Sequence, residues 1–353
     1  MDRGYLGTLS WVLTLAILGP LSVAGQSSQW TVPRTPWGHP DLTGTYTNKT
    51  ITPVQRPVAL ANREFLTKEE MVRLERDRVE RNRRLNEPQA REEAPGDGGI
   101  VAYNNFWLDG GTRPTGRTSL IIDPPNGRIP PVTPEFARHA EQRRQQILAR
   151  GKPKPGWRAT GTGLADTWMD FQLNDRCLVW AAGPPMMPGP YNNTYMILQT
   201  PDYVAIQVEM IHDTRIIPLD GRPHLGSSIR QYLGDMRGRW EGDTLVVETT
   251  NIQRTEGEPG TQGADEFETR AANGRTDDTM RIVERFTRVD KDTINYRFTI
   301  EDPSRWTRPF SGEFPFVRTD EKMYEFACHE GNYSIINMLA GARAEERGKA
   351  ASK

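Results

Sequence analysis

The sequence predicts a mainly β protein, an antiparallel lipocalin-like β-barrel or β-sandwich with an N-terminal extended arm and two flanking helices. Three observations carry that expectation. From Thr160 onward, short alternating runs rich in β-branched and aromatic residues are joined by polar turns. Two stretches carry clear helix start signals. Glycine (32) and proline (27) are plentiful, which suits long loops around an all-β body. The expected organisation is a signal peptide over 1–24, an arm with two helices and a hairpin over 25–159, the β domain over 160–340 and a charged, frayed tail over 341–353.

Taken in order, Arg3, the apolar run Leu6 to Leu18 and the small residues Ser22-Val23-Ala24 read as an export leader cleaved near Ala24. The run falls short of the ~20 apolar residues that a membrane span needs. Residues 26–60 are rich in Pro, Thr and Trp, and repeated prolines forbid a helix. Leu42 to Thr47 reads as a short strand within an arm draped over the main body, and His39 as a loop residue. Thr67-x-x-Glu70 is a capping box that starts a helix reaching about Asn86. Its apolar stripe is thin and its Arg residues are interleaved with Glu and Asp, so a solvated, salt-bridged helix is expected. Residues 87–99 read as a linker. Arg117 onward gives a strand, a Pro-Pro-Asn-Gly turn and a returning segment. Thr133-Pro134 caps and opens a second helix that reaches Arg150 and stops at Gly151.

The strands expected in the β domain are Met196–Thr200, Tyr203–Pro218, Gly238–Thr250 with a turn at Glu241-Gly242-Asp243, Met280–Val289, Thr293–Glu301, Arg308–Arg318 and Met323–His329. The run Tyr203–Pro218 places Val204, Ile206, Val208, Met210 and then His212 on one face, so an imidazole closes an apolar stripe. In the hairpin Arg281–Glu301, a three-residue loop sets Phe286 opposite Tyr296, Glu284 opposite Phe298 and Ile282 opposite Ile300. Glu284 is then the single carboxylate on an apolar wall. Desolvation would raise its pKa and suit it to acid–base work; the competing reading is an internal ion pair with an Arg. His329 lies at a strand end, beside Cys328 and before Gly331-Asn332, where function often sits.

Two functional classes follow. One is an exported protein binding a small organic molecule in the barrel, lined by Val208, Met210, Phe286, Tyr296 and Phe298. The other is an acid–base enzyme, a lyase, isomerase or hydrolase, using His212, Glu284 and His329. A third reading, an envelope interaction module, would use the Arg-rich helix. The formal net charge of −1, from 45 basic and 46 acidic residues, argues against nucleic acid or an anionic membrane as main partner, and no stable membrane insertion is expected. No metal site is expected, because the histidines lack ligand spacing. No P-loop, dinucleotide fingerprint or G-x-S-x-G motif occurs, so no cofactor is expected. The even pair Cys177 and Cys328 suits one disulfide in an oxidising compartment, closing a loop worth about 4–5 kcal/mol in the chain-entropy model.

The segments YNNTY (191–195), EMIHDTRIIPLDGRPH (209–224), GRWEGDTLVVETTN (238–251), ERFTRVDKDTINY (284–296) and EFACHEGNY (325–333) resemble a large family of uncharacterised exported bacterial proteins. The resemblance spans most of the chain after the leader. It implies export and one continuous unit, and it transfers no role to any residue.

Overall fold

The computed structural model describes residues 30–87, 108–150, 165–171, 173, 175–179, 183–253 and 280–351. The segments expected to form an export leader, a linker from residue 88 on and a helix stop at Gly151 lie outside the described residues. In chain order the elements are β1 (Gly44–Thr47), α1 (Lys68–Asn86), β2 (Ile121–Asp123), α2 (Pro134–Arg150), β3 (Thr194–Gln199), β4 (Tyr203–Val208), β5 (Thr214–Pro218), β6 (Asp235–Glu241), β7 (Thr244–Thr250), β8 (Arg281–Arg288), β9 (Thr293–Glu301), β10 (Phe310–Arg318) and α3 (Ser334–Ala351).

The strands form a nearly closed antiparallel barrel with the order β5-β4-β3-β1-β10-β9-β8-β7-β6. β2 pairs with the start of β10, while β1 pairs with its end. The seam lies between β5 and β6, which meet without a ladder. They meet closely because Gly238 carries no side chain: a Cβ there would meet Ile217 and Leu219 at 2.7 Å. The inner face is set by period-two alternation. Tyr46, Tyr195, Ile197, Val204, Ile206, Val208, Leu245, Val247, Ile282, Phe286, Tyr296, Phe298, Phe314 and Phe316 are buried in one continuous core. The hairpin β8–β9 has the register expected from sequence, with Phe286 opposite Tyr296, Glu284 opposite Phe298 and Ile282 opposite Ile300.

The helix starts follow their sequence signals. Thr67 and Glu70 form the reciprocal capping box of α1. Thr133 Oγ1 accepts from Phe136 N at 3.1 Å at the start of α2. No residue of α1 is buried, and its surface is laced by pairs such as Arg83–Glu80 and Arg113–Glu75.

Four expectations are corrected. Tyr203–Pro218 is not one strand but a hairpin, with Val204 opposite Ile217 and Ile206 opposite Arg215. The corner Glu209–Asp213 inverts parity: even positions point inward before it and odd positions after it, so His212 is exposed. The segment expected to supply a draped arm is integral to the sheet, because β1 is inserted between β3 and β10. Met323–His329 forms no strand. Finally, the charged tail is helical to Ala351: α3 buries Ala342 against Ala165 and Phe171, and Arg343 donates to the carbonyls of Ala165 and Asp166 at 3.0 Å.

Candidate functional site at the barrel rim

The corner between β4 and β5 carries two consecutive non-glycine residues in the left-handed region, Ile211 (φ 59°) and His212 (φ 48°). A β-branched residue in that conformation is a true outlier, costing about 1–3 kcal/mol, and such strain persists only where surrounding contacts over-determine it. The contacts are present. Glu209, buried at the start of the corner, accepts from Thr194 N at 3.3 Å and from Tyr324 N at 3.2 Å. Val208 N donates to the carbonyl of Asp213 at 2.8 Å, and Met210 and Ile211 are buried beneath the turn. The strain presents His212 to solvent.

His212 Nδ1 lies 3.1 Å from the carbonyl oxygen of Phe326. A carbonyl only accepts, so Nδ1 carries a proton, and in the neutral form of the ring the basic lone pair lies on Nε2. The ring centroid of His329 is 6.4 Å away, and both imidazoles are exposed. Asp213 completes the group. Burial pushes its carboxyl up to about 6, opposed by His212 when that ring is protonated, and its Oδ2 is buried with no hydrogen-bond partner among the described residues. His329 is held in place by its neighbour: Cys328 is bonded to Cys177, whose Sγ accepts from Asn332 Nδ2 at 3.1 Å.

Of the three acid–base residues expected from sequence, the structure thus brings His212 and His329 together and places Glu284 elsewhere. Glu284 is fully buried inside the barrel and ion-paired through both oxygens to Arg215, with Nη1 to Oε1 at 2.9 Å. Tyr296 Oη donates to Glu284 Oε1 at 2.7 Å and accepts from Met186 N at 3.0 Å. Burial, and then the adjacent carboxylate, pushes the Tyr296 phenol well up. Burial opposes the charge of Arg215, but Glu284 overrides it and the guanidinium is raised. The ion-pair reading of Glu284 therefore holds.

Arg215 was the residue that sequence reasoning missed. Its signal was present in Thr-Arg-Ile-Ile-Pro, where Arg215 shares a face with Ile217, but only once the parity of the corner is known.

The five residues expected to line a ligand site, Val208, Met210, Phe286, Tyr296 and Phe298, are all fully buried. Phe286, Phe314 and Phe316 surround the Tyr296 ring at centroid distances of 5.0 to 5.1 Å, so these side chains fill the middle of the barrel with one another. His224 belongs to a separate cluster. Its Nδ1 is 2.8 Å from Asp235 Oδ2 and its Nε2 is 3.5 Å from Glu248 Oε1, which pins the loop after β5 to β6 and β7. Among the described residues, no three or more His, Cys, Asp or Glu are grouped to hold a metal ion. No described helix is long and apolar enough to cross a membrane. Comparisons of the chain with family models, curated proteins and solved structures found no match.

Proposed function

We propose that the protein is exported and performs general acid–base chemistry on a small organic molecule at the barrel rim, between His212 and His329. The observation that carries this reading is the strained corner that commits His212 Nδ1 to the Phe326 carbonyl and leaves Nε2 as the base. Asp213, the chain neighbour of His212 and only part-buried, is the candidate acid of this reading, with a carboxyl that burial raises to about 6. The disulfide supports an oxidising compartment and hence export. The exposed His212 and His329 rings suit a bound molecule better than the barrel interior, where the five apolar candidates are fully buried against one another.

The test uses the protein purified from its own envelope and incubated with small molecules extracted from that envelope, with depletion and product followed by mass spectrometry. Wild type is expected to convert at least one compound, and His212→Ala to slow that conversion about 10²–10⁴-fold. His329→Ala lowers it as well. The donor role of Asp213 gives a rate that falls as pH rises through about 6, a limb that Asp213→Asn removes. Equal depletion by wild type and His212→Ala would overturn the reading.

A further inference from the structure

We propose that the Cys177–Cys328 disulfide is a reducible tether that holds His329 against His212, so that an envelope dithiol can open the rim site without unfolding the barrel. The inference rests on the rim site proposed above for its functional meaning, and on the limb 319–333 for its physics. At its start Thr319 N donates to the carbonyl of Thr45 in β1 at 3.0 Å, and among the described residues none of the limb from Asp320 on pairs in the sheet. It is held by the pair Lys49–Glu321 at 2.6 Å, by Tyr324 N on Glu209, by the His212–Phe326 hydrogen bond, by part-buried Phe326 and by the disulfide. Two of those ties are exposed polar contacts and a third is a single part-buried hydrogen bond. The covalent bond sits next to His329 and two residues from the carbonyl that orients His212.

The two sulfurs are not equivalent. Cys177 is buried, while Cys328 is partly exposed, so an incoming thiolate reaches Cys328 first. Asn332 Nδ2 already donates to Cys177 Sγ at 3.1 Å and to the carbonyl of Asp175 at 3.0 Å. A donor on that sulfur stabilises the thiolate and makes Cys177 the better leaving group. In the step, a thiolate of the dithiol attacks Cys328 Sγ, the S–S bond breaks, and its electron pair departs on Cys177. The second thiol of the dithiol then displaces Cys328 and closes the reductant's own disulfide. Two electrons pass to the protein, and the two protons of the dithiol end on Cys177 and Cys328.

The experiment treats the intact folded protein with glutathione, then with dithiothreitol, without denaturant. Adducts are mapped by mass spectrometry, trypsin cleavage after Lys322 is timed, and the ring signals of His212 and His329 are followed by NMR. The expected results are a glutathione adduct on Cys328, faster cleavage at Lys322 after reduction, and shifted His212 and His329 signals with an unchanged far-UV spectrum. Asn332→Ala slows reduction about tenfold, and Asn332→Gln, which keeps an amide donor, recovers part of the rate. Reduction that occurs only at denaturant concentrations unfolding the barrel overturns the proposal, as does an adduct on Cys177 or a limb unaltered by reduction. If the limb opens while His212→Ala retains full turnover, the tether stands and the acid–base reading falls. If the disulfide resists while His212→Ala loses turnover, the reverse holds.

Discussion

At the scale of single residues, the largest electrostatic commitment is Arg215–Glu284, a doubly hydrogen-bonded pair with both side chains fully buried. Removing one partner strands a charge in the barrel, whereas removing both leaves only a packing problem. Glu284→Gln and Arg215→Met are each expected to cost about 3–5 kcal/mol, and the double variant much less than their sum, read from urea midpoints at pH 7. Equal additive losses would mean that the two side chains do not share one network. Asp213 makes a pH-dependent contribution of the opposite kind. Its carboxyl is raised to about 6 in the folded chain, above its unfolded value near 4, so the folded state holds the proton over that interval. Stability attributable to Asp213 is therefore full below about pH 4, falls as pH rises toward 6 and is constant beyond. Water screening at this part-exposed site limits the loss to about 1–2 kcal/mol. Asp213→Asn should remove that slope and be the more stable protein at pH 7, checked by denaturant titrations at pH 4, 5, 6 and 7.

Elements make a different demand, because a strand must satisfy its neighbours on both sides. β10 passes Phe298 at Gly312, where a Cβ would overlap the edge of that ring. Gly312→Ala overpacks the wall and is expected to cost about 1–3 kcal/mol, with Phe298→Leu in the same chain recovering part of it. Thermal melts of the single and double variants decide this. The β8–β9 hairpin was legible in the sequence to the residue, since alternation within each strand and a three-residue polar loop set a register that buries Ile282, Phe286, Ile294, Tyr296, Phe298 and Ile300 on one face. The corner Glu209–Asp213 was not. Left-handed backbone is normally announced by Gly, Asn or Asp, and here Ile211 and His212 adopt it under contacts made by Thr194, Tyr324 and Phe326, two of them more than 110 residues away. The period-two count therefore ran through the turn, turned His212 inward and hid Arg215. His212 was recognised as a candidate, but for a wall it does not occupy, and His329 for a strand end that the segment Met323–His329 does not form.

The whole molecule is closed by contacts that are distant in sequence. β1 completes the path between β3 and β10, about 150 and 270 residues from its partners by their numbering, and nothing local in Leu42 to Thr47 could announce either neighbour. The disulfide acts at the same scale, joining positions 151 residues apart. Such a link limits the denatured ensemble more than it strengthens any native contact, and the chain-entropy model gives about 5 kcal/mol for a loop of that size. The variant Cys177→Ser with Cys328→Ser should keep the barrel spectrum, because most of the buried core lies in the strands and only part-buried Phe326 of the tethered limb packs against it. Its urea midpoint should fall, and its denaturant slope should rise as the untethered chain exposes more surface on unfolding. A fall of several kcal/mol together with a steeper slope places the stabilising effect of the link in the unfolded chain. A midpoint shift with no change in slope would instead place it in native contacts around Cys177, Asn332 and the carbonyl of Asp175.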